Sequence, residues 1–257
     1  SAPRTAWGWA WAGVLAGVLP AVVAFAPAHW LAGGVARATQ GQVLLLQPRG
    51  TVWTGSAQLV LTGGQASKDS AALPGRVDWQ LRPTWGGLRA RLQAGCCTAE
   101  PLQAQVHLRW VGPQITLADG QSQWPAALLA GLGTPWNTLQ PQGQLALQTR
   151  ALAVQWAAGR MVLSGQAQLD ARAMSSRLST LRPMGSYRLV LQGGEVPTLA
   201  LSTLDGALQL SGSGQWVGNR LRFAGEASAA PEREAALSNL LNIIGRRNGA
   251  RSIITVG

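Results

Sequence analysis

The sequence predicts a mainly β protein: an N-terminal transmembrane helix followed by a curved, mostly antiparallel sheet built from hairpin-helix-strand repeats with a few short covering helices. Three observations carry this prediction. Residues 5–36 contain no Lys, Arg, Asp or Glu. Beyond residue 43, apolar side chains recur at every second position in run after run, the period of a half-buried strand. Charged residues make up 12% of the 257, about half the usual share of roughly 25%, while Gln, Ser and Thr are plentiful. Such a composition fits a sheet-rich protein outside the cytoplasm better than a cytosolic enzyme.

Residues 5–26 as a helix measure about 33 Å, enough to cross a bilayer core of about 30 Å. Trp7, Trp9 and Trp11 stand at one end and Trp30 just beyond the other, and indole rings prefer the headgroup layers. Two readings compete with the membrane span. A buried soluble helix conflicts with the length of the uncharged run. A cleaved signal peptide has Ala24-Phe25-Ala26 as an A-x-A site and Arg4 as a charged start, although the apolar run exceeds the usual length of about 7–15 residues. The span and the signal peptide both take the later chain out of the cytoplasm. Pro20 predicts a kink. Gly13 and Gly17 have the G-x-x-x-G spacing that lets membrane helices approach, a Gly/Ala-rich helix without a partner being the plainer reading. The chain thus divides into an anchor (1–27), a juxtamembrane segment with Gly33-Gly34 lying at the membrane surface (28–42) and a β domain (43–257).

Within the β domain, 43–47 reads as a short buried strand. Residues 56–62 alternate, with Ala57, Leu59 and Leu61 opposite Ser56, Gln58 and Val60. Residues 63–74 are polar and loop-like. Val77, Trp79 and Leu81 share one face of a strand at 76–82. Runs at 88–93 and 102–111 continue the alternation across a turn at 95–101, the second placing Leu102, Ala104, Val106, Leu108 and Trp110 on one side.

The chain then repeats itself. At an offset of 60, Trp156 meets Trp216, Arg160 meets Arg220, Leu163 meets Phe223, Gly165 meets Gly225 and Ala167 meets Ala227. Gly143-x-Leu145-x-Leu147 likewise resembles Gly206-x-Leu208-x-Leu210. Units at 143–191 and 206–256 therefore read as hairpin, short helix, strand, with helices at 172–181 and 232–245 and closing strands at 187–191 and 253–256. A fainter copy runs from Trp110 through Trp124-Pro125 to a helix-like run at 126–132. The last helix has the strongest signals: Pro231 for a first turn, Glu232 and Glu234 at the positive end of the dipole, Gly245 as a stop, and a stripe of Leu237, Leu240, Leu241 and Ile244.

The net charge is +11, and Lys68 is the only lysine. The arginines are scattered singly along candidate strands, as at Arg89, Arg91 and Arg109, and are densest at Arg246, Arg247 and Arg251. Without a basic stripe or a nucleic-acid motif, no nucleic-acid partner is expected. Cys96 and Cys97 are adjacent, with Cα atoms about 3.8 Å apart, below the usual disulfide range; thiols, or pairing to another chain, are expected. Ten carboxylates, with only Glu232 and Glu234 close in sequence, and two histidines, His29 and His107, offer no catalytic motif, no phosphate loop and no metal-ligand spacing. No catalytic, cofactor-binding or metal-binding residue is assigned, no cofactor is expected, and an enzyme is not expected.

An ordered set of stretches resembles protein N of the bacterial type II secretion system, the GspN family. They are Gly-Thr-Val-Trp-Thr-Gly at 50–55, Trp79-Gln80-Leu81-Arg82-Pro83, Gly185-Ser186-Tyr187-Arg188-Leu189, 206–225 and 237–245, behind the apolar N-terminus. The resemblance implies a single-pass inner-membrane protein whose periplasmic β domain supports export of folded proteins across the outer membrane. The partners it implies are the outer-membrane secretin and/or inner-membrane platform proteins, with a homo-oligomer as a further option. The domain is also similar to AsmA-type periplasmic β proteins, which implies an alternative role in binding or transferring lipid. Cys96 and Cys97 have no counterpart in either resemblance.

Overall fold

The computed structural model describes residues 20–257 except 66, 110, 111, 158, 159 and 219, together with 11, 14, 17 and 18. Most of the expected membrane span, with Trp7, Trp9 and Gly13, and also Trp110, lies outside the described residues. Residues 20–24 are helical. Among the described residues no helix is long and apolar enough to cross a membrane.

A first helix, α1 (Ala28–Ala38), leads into the sheet. The strands begin with β1 (Val43–Gly50), β2 (Thr54–Thr62), β3 (Ser70–Ala72), β4 (Val77–Thr84) and β5 (Gly87–Ala94). Next come β6 (Leu102–Arg109), β7 (Gly112–Leu117) and β8 (Gly120–Pro125), a 3-10 helix (Ala126–Leu132) and the short α2 (Trp136–Leu139). The long pair β9 (Gln142–Ala157) and β10 (Arg160–Ser175) precedes β11 (Gly185–Gly194), β12 (Thr198–Gly206), β13 (Leu208–Val217) and β14 (Arg220–Ala229). Helix α3 (Glu234–Ile244), β15 (Arg246–Asn248) and β16 (Arg251–Val256) end the chain.

All sixteen strands join one open sheet in near-sequential order, from β1 at one edge to β15 at the other. β7 and β8 lie end to end against β9. An antiparallel meander puts alternate turns at opposite ends. One end carries the turns after β1, β4, β6, β9, β11 and β13, here called the tips. The other, the base, carries the connections after β2, which holds β3, after β5, after β8, which holds the 3-10 helix and α2, after β10, after β12 and after β14, which holds α3.

The alternation read from sequence appears as burial. Val77 and Trp79 are buried while Asp78 and Gln80 are exposed. At the base, Leu237, Leu240 and Leu241 of α3 are fully enclosed against Leu208, Ala227, Tyr187 and Met184. Each such leucine contributes roughly 1.5–3 kcal/mol. Buried Ser252 of β16 donates to the Leu241 carbonyl (2.5 Å), one of the acceptors a helix end leaves open.

Five expectations are corrected. Residues 43–47 are not a buried strand: they begin β1, which is half-exposed because an edge strand has a neighbour on one side only. The loop at 63–74 contains β3, paired to β2, and Leu73 is buried. Residues 172–181 are not a helix. β10 runs on to Ser175, paired to β11 as far as Met174 across a bulge and to β9 at Ser175, and Ser176 and Ser179 then accept bonds from the N–H groups of Leu178 and Leu181, local bonds that compete with helical ones. The hairpin-helix-strand repeat thus holds in full only for the second unit. Its helix begins at Glu234 rather than 232, because Glu232 has φ +66° and a turn closes from Arg233 N–H to the Ala230 carbonyl. Finally, Cys96 and Cys97 are joined in a disulfide, not free. The turn after β5, closed by N–H groups of Cys97 and Thr98 on the Ala94 carbonyl (both 2.9 Å), holds both cysteines in place.

Candidate functional site

Three constructions stand out from the scaffold. The first is a latch at the tip end that holds the exit of the N-terminal apolar segment. Trp53, in the β1–β2 turn, donates from Nε1 to the Val23 carbonyl (2.7 Å), and Val52 N–H donates to the Ala26 carbonyl (2.8 Å). Trp79 Nε1 in turn donates to the carbonyls of Thr51 (3.2 Å) and Val52 (3.0 Å), fixing the turn. Buried Ala28 packs on Ala57 and Trp79, with Leu31, Leu45 and Leu81 around them. A side chain at Gly55 would collide with the Arg49 carbonyl and the Trp79 ring, so the 50–55 run is glycine there for want of room. Within the juxtamembrane segment 28–42, residues 28–38 form α1, docked on β1, with Trp30 exposed.

The second is an apolar cavity at the base, about 340 Å³, between the sheet and its covering helices. Leu145, Leu169, Leu201 and Leu210 form its sheet wall, and Leu129, Leu240 and Ile244 its helical wall. No charged residue lines it, and no polar atom contributes to its exposed surface. Volumes of roughly 300–1,000 Å³ are usual for small-molecule sites. Beside it, Tyr187 is buried, and its hydroxyl has no hydrogen-bond partner among the described residues. Burial, and then Asp205, push its ionisation far above the ordinary tyrosine range. The ring lies close over Gly185, where any Cβ would meet the hydroxyl at 2.6 Å. That contact explains the small residue two positions before the tyrosine.

The third is polar and lies on the opposite face of the same strands. Asp170 is almost wholly buried and receives a two-pronged contact from Arg188, Nε to Oδ1 and Nη2 to Oδ2, both 2.8 Å. Gln168 Nε2 (3.1 Å) and Arg172 Nη2 (3.4 Å) complete the ring of donors. The Arg188 hydrogen bonds hold the Asp170 carboxyl below the usual carboxylate range against the opposing effect of burial, and the same bonds raise Arg188. Asp170 and Arg188 face each other across β10 and β11. Every oxygen of Asp170 is occupied by donors, so this cluster braces the sheet.

The other chemically capable residues remain scattered. His29 sits edge-on to Trp30, with ring centres 6.4 Å apart, and His107 meets Gln105 (3.3 Å). Arg251 pairs with Glu226 (3.0 Å) on the exposed surface. Among the described residues no three His, Cys, Asp or Glu side chains gather as a metal site would need. Sequence reasoning missed both the cavity and the Asp170–Arg188 pair. The pair had a faint signal: an acid and an arginine each flanked by apolar residues on strands, hence on the face opposite the leucines. The cavity had none, because its walls come from segments about 125 residues apart.

No curated protein and no solved structure matches the chain. A family model described as "Type II secretion system (T2SS), protein N" matches residues 41–254, from just before β1 into β16, and so covers all but the last two residues of the sheet. This chain therefore belongs to the protein N family of the type II secretion system.

Proposed function

We propose that the chain is a non-catalytic component of the type II secretion machinery, held in the bacterial inner membrane by its N-terminal segment, with the β domain in the periplasm. There it supports export of folded proteins through contacts with the secretin or the platform proteins. The observation that carries this reading is the family match over residues 41–254, nearly the entire sheet. The uncharged stretch ahead of residue 37 and the latch that holds its exit support the anchoring. The sheet also offers a means of contact. β15 covers β16 only at 251–253, so 254–256, bonded to β14 on one side, has its outer edge uncovered among the described residues. An open edge of this kind accepts a partner strand through main-chain hydrogen bonds. Deleting the chain from secreting cells tests the role. Secreted enzymes accumulate in the periplasm if it holds. Unchanged export, with no crosslink to secretin or platform proteins, refutes it.

The apolar cavity favours a second reading, an acyl-chain-binding module. Its wall is free of polar surface, which suits a hydrocarbon chain and little else. Mass spectrometry of the purified chain decides it. A stoichiometric co-purifying lipid, lost when Leu201→Trp fills the cavity, supports it. A lipid-free protein removes it.

A further inference from the structure

Four tryptophans lie toward the tip end of the sheet, against Trp124 and the marginally exposed Trp136 at the base. Trp53 lies in the first tip turn, Trp85 in the second, Trp156 at the end of β9, and Trp216 one residue before the end of β13. Trp85 is fully exposed, and Trp156 is exposed too. Between them Leu108, Val162, Val196 and Val217 are exposed at the same end, as are Phe25 and Trp30 where the chain enters the fold. These residues alternate in sequence with buried or polar ones, so the row is invisible along the chain. The meander assembles it by bringing every second turn to one end.

Charge follows the same division. Toward the tips the exposed ionisable side chains include Arg49, Arg82, Arg89, Arg91, Arg220 and Arg222, against two acids among the described residues, Glu195 and Asp78, the latter level with Arg49. At the base, arginines 177, 182, 233, 246 and 247 are interspersed with exposed Glu100, Asp205, Glu232 and Glu234. The tips are therefore aromatic, apolar and cationic together, while the base carries both signs. The helical residues 20–24, with exposed Val22 and Val23, join the fold at the tip end through the Trp53 latch.

We infer that the tip end is a membrane-seating rim, which lays its tryptophans in the headgroup layer of a bilayer containing anionic phospholipid and stands the sheet with its base away from the membrane. Indoles partition to the headgroup region, and arginines beside them meet anionic lipid. Exposed indoles also suit protein interfaces; the excess of arginine beside Trp85 and Trp156, and the apolar N-terminal stretch entering at the same end, favour a lipid surface. The inference rests on the proposed membrane location but not on the anchor as such. Its consequence for the secretion role is geometric: the cavity and the open β16 edge are held at fixed height and orientation over the membrane.

The test uses the full chain in vesicles of neutral and anionic phospholipid, with single nitroxide labels at 85, 156 and 196 and, in parallel, at 100, 205 and 232. Tip labels should collide freely with oxygen and poorly with a water-soluble nickel chelate, and base labels the reverse. Arg82→Gln and Arg89→Gln should each lower the ratio of seated to lifted rim about fivefold on anionic vesicles, and salt should do the same. Tip labels as open to nickel as base labels overturn the inference, as does shielding that appears only after other secretion proteins are added. Carbonate extraction separates this from the anchor. If carbonate strips the chain from membranes, the anchor fails, and the tip labels with anionic vesicles still show a seated rim or refute it.

Discussion

At the base of the sheet, Leu237, Leu240, Leu241 and Leu208 are enclosed on every side, and the serine that closes the end of α3 is buried with them. At the tips, Trp85 touches nothing, and Leu108 and Val196 are largely bare. The same strands run through both ends, so strand propensity does not separate them. What differs is the connection. Two of the base connections, after β8 and β14, are long enough to hold helices that fold back onto the apolar face, whereas every tip connection is a short turn with nothing to spare for covering it. Apolar residues at the base therefore stabilise the fold, and those at the tips are free for a surface outside the molecule.

Substitutions at the two ends should separate stability from surface contact. The largest effect is expected from Leu241→Ala, which leaves a hole in the base core and costs about 3 kcal/mol, read as a lower denaturant midpoint with unchanged slope. Arg188→Ala strands the buried Asp170 carboxylate and should destabilise by less than Leu241→Ala, because Arg188 is itself partly exposed to water. The same pair gives a pH signature. Asp170 has a lowered folded pKa, so its contribution is complete above the ordinary value of 3.8 and is lost as pH falls through the lower folded value. Acid titration of stability should show that loss in the wild type and not in Asp170→Asn.

Tyr187→Phe removes a buried hydroxyl that has no partner among the described residues, and a gain of about 1 kcal/mol is expected by thermal melting. Trp85→Ser should change stability by less than about 0.5 kcal/mol, since the side chain is exposed and packs on nothing. A large loss of stability there would erase the distinction between the two ends.

Much of the fold was legible because its signal is local. Alternation at 77–81 fixed a strand and its buried face from five residues. The Leu237, Leu240, Leu241 and Ile244 stripe fixed a helix and the side it buries. Failures came where two local structures were nearly balanced. At 172–181 the apolar spacing allowed a helix, but pairing with β11 and the Ser176 and Ser179 side-chain bonds decided otherwise.

The sequence by itself determined the mainly β class, the covering helix α3, the family and the uncharged N-terminal stretch, since each is written in residues close together along the chain. Only the tertiary structure decided which of those residues meet. Trp53 reaching back to Val23, Arg188 closing on Asp170, an apolar cavity between helix and sheet, and four tryptophans gathered at one end all depend on strand register and turn placement. Register is set by the summed burial of many side chains across the sheet, so no short stretch of sequence carries it.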